Sequence, residues 1–201
     1  MKVTLIDYGA GNVASVERAL QRLGAASQRC NSPAGIAIAE ALLLPGVGHY
    51  AALMRALDER ALRTPLLDAI HRGVPFLGIC LGLQALYESS EEAPELTGLH
   101  LLPGSVRSLP ATVKLPHMGW NQLKLTRPSR LLEGVSADAY FYFAHSFAAT
   151  AANGEAVALC SHGTDFAAVI EKENIFGVQF HPEKSGDAGA QLLRNFLRLA
   201  T

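Results

Sequence analysis

Val74-Pro75-Phe76-Leu77-Gly78-Ile79-Cys80-Leu81-Gly82-Leu83-Gln84 is the stretch around which the rest of the chain is organised. Pro75 to Ile79 is a short apolar run that reads as a buried strand, and Leu81 to Tyr87 continues as a helical pattern past Gly82. Cys80 stands at the strand-to-helix junction with glycines two residues to either side, an arrangement that lets a nucleophile occupy a sharp turn without collision. Its thiol then lies near amides at a helix N-terminus, where a thiolate is favoured and backbone N–H groups can meet a developing oxyanion. Free cysteines are also among the most buried residues, so G-x-C-x-G alone is read equally well as a nucleophile or as core.

A second stretch separates the two readings. Ile175 to Phe180 is another apolar run, and His181-Pro182-Glu183-Lys184-Ser185 follows it past the strand end, where open α/β sheets gather functional side chains. A histidine that meets Cys80, with a carboxylate two residues on to orient its ring, completes a set of nucleophile, base and orienter. Without Cys80, the simpler reading is a surface histidine beside a surface glutamate.

Gly78-Ile79-Cys80-Leu81-Gly82-Leu83-Gln84 and His181-Pro182-Glu183 together resemble the class I (triad) glutamine amidotransferase family, over essentially the whole chain. Ile6-Asp7-Tyr8-Gly9-Ala10-Gly11-Asn12, Pro45-Gly46-Val47-Gly48 and Pro116-His117-Met118-Gly119-Trp120-Asn121 are similar to the branch that serves histidine synthesis. The resemblance implies a Cys80, His181, Glu183 triad that hydrolyses glutamine, with Val47, Gly48 and the Leu81 N–H as the oxyanion site. It further implies glutamine held by Gln84 and Glu92. The implied partner is a cyclase with a (β/α)8 barrel in a heterodimer, received at Asn12, Trp120, Tyr142 and Lys184, with ammonia passing near Tyr142. Glutaminase subunits for anthranilate, aminodeoxychorismate or a vitamin pathway are the alternative, against which Pro116 to Asn121 weighs. A catalytically silent regulator would not need the intact triad, and a cysteine peptidase would need an open cleft. The family more often continues the Pro45 motif with a phenylalanine; here His49 and Tyr50 follow.

Composition bounds the rest. The chain has 201 residues, 49% of them hydrophobic and 17% charged, which fits one globular domain over residues 1–201. A formal net charge of −1 offers no polycation for nucleic acid. Cys30, Cys80 and Cys160 are odd in number and lack C-x-x-C spacing, which argues against disulfides and structural zinc and suits a reducing cytoplasm. No stretch approaches a membrane span, and Lys2 to Asp7 is too short for a signal peptide. The first glycines lack dinucleotide-loop spacing, so neither cofactor nor metal is expected.

In chain order the expected elements begin with a strand at Val3 to Ile6 and a helix capped by Asn12 with Val13, Val16, Leu20 and Leu23 on one face. A strand at Ala41 to Leu44 follows, then helices from His49 through Leu57 and over Leu66 to His71. Glu88 to Glu92 is expected to close the helix after Cys80, followed by a short strand at Ser105 to Leu109 and an edge strand at Gln122 to Leu125. Ala139 to Phe147, Ala156 to Cys160 and Phe166 to Ile170 read as strands, the last two joined at Gly163. His145 is a second candidate base without a nearby carboxylate, and Cys160 reads as packing. Asp187 is the expected cap of a terminal helix with Leu192, Leu193, Phe196 and Leu197 as its stripe. The fold expected is α/β, a mixed, mainly parallel central sheet flanked by helices, with an antiparallel elaboration between about 100 and 170.

Overall fold

The computed structural model describes residues 2–9, 12–150 and 154–200; Ala10 and Gly11 of the glycine-rich turn lie outside them. The first half alternates strand and helix: β1 (Val3–Ile6), α1 (Val13–Arg22), β2 (Ser27–Cys30), α2 (Pro33–Ala37), β3 (Ala41–Gly46), α3 (Tyr50–Glu59) and α4 (Arg63–His71). Next come β4 (Phe76–Cys80), α5 (Leu81–Gln84), β5 (Ser89–Ser90), β6 (Ser105–Ser108), β7 (His117–Gln122) and β8 (Lys124–Leu125). The chain ends with β9 (Tyr140–His145), β10 (Phe147–Ala149), β11 (Ala156–Ser161), β12 (Asp165–Lys172), β13 (Ile175–Val178), a 3-10 turn (Pro182–Lys184) and α6 (Gly186–Leu199).

Eight strands form the central sheet in the order β2-β1-β3-β4-β13-β12-β11-β8. The five from β2 to β13 are mutually parallel, and β12, β11 and β8 extend the sheet antiparallel. Every residue of β3 and β4 is buried, which requires cover on both faces. Alternating side chains supply two cores: Leu42 and Leu44 pack with α2, α3 and α4, whereas Leu43, Leu77 and Ile79 pack with α1 and α6. Leu192, Leu193 and Phe196 of α6 are buried as its stripe predicts, with Leu197 packed at the margin. Among the described residues no helix is long and apolar enough to cross a membrane.

The central sheet sets the site. β4 lies between β3 and β13, with Gly46 paired to Cys80 and Val178 to Ile79, so the carboxyl ends of three adjacent parallel strands meet. The loops bearing Val47 and Gly48, Cys80, and His181 leave from those ends, the position at which open α/β sheets bind ligands.

Several elements depart from expectation. The helix after Cys80 stops at Gln84 rather than Tyr87, because the returning loop takes its carbonyls: Leu99 N–H donates to Ala85 O at 2.8 Å and Leu101 N–H to Leu86 O at 2.9 Å. Glu88 to Glu92 therefore does not close a helix; Ser89 and Ser90 pair with Ser105 and Val106 as β5. The strand expected over Ala139 to Phe147 breaks at Ser146, since β9 pairs with β7 while β10 pairs with β6. Gln122 belongs to β7, and only Lys124 and Leu125 form the sheet edge. Ser185, not Asp187, holds the N-cap position of α6, with Asp187 in its first turn.

Candidate active site

Cys80 ends β4 with φ 53° and ψ −106°, a left-handed backbone that costs a side-chain-bearing residue free energy and is held by its surroundings. The turn closes because its neighbours have no side chains. A Cβ on Gly82 would stand 2.0 Å from Leu44 O, and one on Gly78 would stand 2.5 Å from Gly82 O. Both glycines are required by close backbone approach.

His181 follows β13 and lines the same cleft as Cys80, whose sulfur acts on its ring, while its Nδ1 lies 2.8 Å from Glu183 Oε1 on the other side. Both triad side chains at this end are buried, His181 at 2% and Glu183 at 0% exposure. Burial by itself lowers the basicity of the ring, but the hydrogen bonds to Cys80 and Glu183 and their charges outweigh it and push His181 up to about 10. The loop is pinned as well. His181 N–H donates to Tyr142 O at 2.8 Å, and the Ser185 hydroxyl donates to His181 O at 2.7 Å while accepting from Tyr142 N–H at 3.0 Å.

Asn12 stands at the N-cap position of α1, yet its side chain makes no capping bond, contrary to expectation. Its Nδ2 donates instead to Glu183 Oε1, the oxygen that also faces His181. A cap would use the amide oxygen as acceptor; here it is the amide nitrogen that is engaged, and the side chain is turned to Glu183 and not to the helix N–H groups. Asn12, singled out as a partner contact, thus reaches the triad from within the chain.

A cleft of about 170 Å³ opens above Cys80, lined by Val47, Gly48, Leu81, Gln84, Glu92, His145, Phe147, His181 and Lys184 among others. It is smaller than the ~300–1,000 Å³ of sites for drug-sized ligands, which suits one amino-acid side chain better than an extended peptide. Gln84 is 3% exposed, and its Nε2 donates to Phe147 O at 2.7 Å and Gln179 Oε1 at 3.1 Å. With both amide hydrogens used, Gln84 has its Oε1 left to accept from a ligand. Glu92 Oε2 accepts from Tyr50 N–H at 2.7 Å, placing a carboxylate at the start of α3 and beside the cleft. His49, the helix start in the sequence, accepts from Ala51 N–H through Nδ1 and stays outside the triad.

Trp120 and Tyr142 face one another across β7 and β9 with ring centroids 5.9 Å apart, and Lys184 Nζ sits 5.5 Å from the Tyr142 ring centre. Trp120 is 56% exposed and therefore no core corner. Cys160 is buried, and burial foremost pushes its thiol up to about 12, as packing predicts. Sequence reasoning missed Gln179, Ser185 and the contact between His117 and His145. A fully buried glutamine inside the apolar run Ile175 to Phe180 was the available signal for Gln179, whose Nε2 lies 3.5 Å from Cys80 Sγ.

A thiol on a glycine-flanked elbow, served by a buried His–Glu pair at the end of a doubly wound sheet, defines a class I glutamine amidotransferase. The chain belongs to that family, whose sequence pattern, described as Glutamine amidotransferase class-I, matches residues 4–200. It is 48% identical over 195 residues to imidazole glycerol phosphate synthase subunit HisH of Desulfitobacterium hafniense, covering 96% of this chain and 92% of that one. The HisH subunit of Methanothermobacter thermautotrophicus is 47% identical over 197 residues, with 98% of each chain covered. Within the family the chain is thus a HisH-type glutaminase subunit. A solved structure titled crystal structure of glutamine amidotransferase shares the fold, with a TM-score of 0.79 at 20% identity over 98% of each chain.

Proposed function

We propose that Cys80, His181 and Glu183 hydrolyse glutamine in this chain and that the ammonia passes to a (β/α)8 cyclase subunit for imidazole glycerol phosphate synthesis. The observation that carries this is the buried relay from Cys80 through His181 to Glu183 at the carboxyl ends of β4 and β13. An imidazolium beside the sulfur is the partner that a thiolate nucleophile requires. Sγ attacks the side-chain amide carbon, and the carbonyl electron pair moves onto oxygen, which Leu81 N–H and the backbone at Val47 and Gly48 stabilise. Collapse breaks the C–N bond, His181 gives its proton to the departing nitrogen, and a thioester remains. Water then gives a proton to His181 and attacks the thioester; the C–S bond breaks, glutamate leaves, and the charged Cys80–His181 pair is restored.

Glu92 offers its carboxylate to the substrate ammonium and Gln84 its Oε1 to a donor of the same amino acid. Free ammonia is protonated in neutral water and lost as a nucleophile, so hydrolysis is useful only when a second site lies close. Asn12, Trp120, Tyr142 and Lys184 are the residues we assign to that docking face. The test is one tube of chain and glutamine, with and without cyclase and its substrate, in which glutamate and imidazole product are both measured. Glutaminase activity is expected to rise with the cyclase and to vanish in Cys80→Ala. Equal hydrolysis by the isolated chain, or product formed only from added ammonium salt despite a verified complex, rules out a channelling subunit.

A further inference from the structure

From the cleft wall, which His145 and Phe147 help to line, a polar chain that the triad does not use runs back to Asn121. His117 and His145 are buried, at 5% and 6% exposure, with His117 Nδ1 3.1 Å from His145 Nε2. His145 Nδ1 lies 2.9 Å from Phe147 O, and His117 Nε2 lies 3.3 Å from Asn121 Nδ2. A backbone carbonyl only accepts, so His145 carries hydrogen on Nδ1; its Nε2 then accepts from His117 Nδ1, and His117 Nε2 accepts from Asn121. The direction is set independently at the outer end, where Asn121 Oδ1 accepts from Gln122 N–H at 2.8 Å and Nδ2 donates to Ser161 O at 3.1 Å. One hydrogen of Asn121 Nδ2 goes out to Ser161 O, and from its other hydrogen inward the donors run in one direction through His117 and His145 to Phe147 O. That carbonyl also accepts from Gln84 Nε2, which links through Gln179 to Cys80.

We propose that the His117–His145 pair is a positioning device for glutamine: it holds the Phe147 carbonyl and the break at Ser146, and thereby orients the Gln84 amide toward the substrate. This rests on the glutaminase function proposed above. The pair touches neither the sulfur nor the triad carboxylate, so its loss is expected to fall on substrate binding and not on the chemical step.

The test is steady-state glutamine hydrolysis by the full chain with its cyclase, comparing wild type with His145→Phe, which removes both ring nitrogens at similar volume. The KM for glutamine is expected to rise by about tenfold while kcat stays within about threefold. His145→Asn keeps an N–H where Nδ1 sits and is expected to restore most of the KM, whereas His145→Gln, whose amide falls where Nε2 sits, is not. If His145→Phe does not fold, the Asn and Gln variants carry the same comparison. An unchanged KM in a folded His145→Phe protein, a fall in kcat at constant KM, or equal KM values for the Asn and Gln variants overturns the inference. A wild-type chain inert toward glutamine with cyclase present removes the glutaminase function itself, a result distinct from active wild type with an indifferent variant.

Discussion

Glu183 Oε1 accepts from Asn12 and faces His181 Nδ1, so one oxygen joins α1 to the residue proposed as catalytic base. A carboxylate in this position keeps the imidazole in the tautomer that presents its other nitrogen to sulfur and stabilises the charged ring. Glu183→Gln replaces an acceptor by an amide that can donate into Nδ1, so it is expected to lower kcat by about a hundredfold or more with a smaller change in KM. Steady-state kinetics in the presence of cyclase decides this, and an unchanged kcat takes Glu183 out of the triad. Asn12→Ala leaves the carboxylate in place but frees it to turn, and a milder loss of kcat in the same assay is expected.

At the scale of the element, the elbow depends on backbones that approach too closely for any side chain. A methyl on Gly82 meets Leu44 O at 2.0 Å, a fixed backbone atom of the neighbouring strand β3, so β3 and β4 must part or the turn must open. Gly24, in contrast to Gly82, has a positive φ, 74°, but an added Cβ there meets nothing within 4 Å. Gly82→Ala is accordingly expected to destabilise the fold by about 3 kcal/mol or more, and Gly24→Ala by about 1 kcal/mol, in urea unfolding. Equal losses would show that the collision at Gly82 costs no more than a positive φ in open space and does not hold the elbow.

For the whole molecule, the histidines impose opposite dependences of stability on pH. Burial, then the neighbouring charges of His117, His162 and His181, pull His145 down to about 3 against the Phe147 hydrogen bond, and burial pulls His117 down to about 4. A base depressed below its unfolded value of 6.5 adds stability above that pH and loses it as pH falls toward the folded value. Between pH 7 and pH 5, His145 alone is expected to cost on the order of 2 kcal/mol, a loss that His145→Phe removes from the slope of unfolding free energy against pH. His181 is raised, so its contribution is complete below 6.5 and is lost as pH climbs toward about 10. A flat acid limb in the wild type would show that His145 is charged in the fold. Assembly belongs to this scale too: Trp120→Ala and Lys184→Ala are expected to weaken cyclase binding about tenfold by calorimetry while Cys80 still reacts with a glutamine-like alkylating reagent. Unaltered affinity in both would move the docking face elsewhere.

Local pattern by itself determined the strands at Val3 to Ile6, Pro75 to Ile79 and from Ile175, the helices α1, α3 and α4 and the residues that stand just past the strands, whereas β2 and α2 were not foreseen and β13 stops at Val178, short of Phe180. Burial on both faces of a parallel strand leaves an unbroken apolar run, and an elbow leaves glycines at fixed offsets, so Cys80, His181 and Glu183 were legible before any coordinates. Tertiary structure alone decided where α5 stops, because Ala85 and Leu86 give their carbonyls to a loop more than a dozen residues on. It also decided that Asn12 serves a carboxylate 171 residues away and that His117 and His145, 28 residues apart, share a buried hydrogen bond. Such pairings are set by which strand ends adjoin in the sheet and which polar atoms must find a partner once buried. Neither condition leaves a period in the sequence.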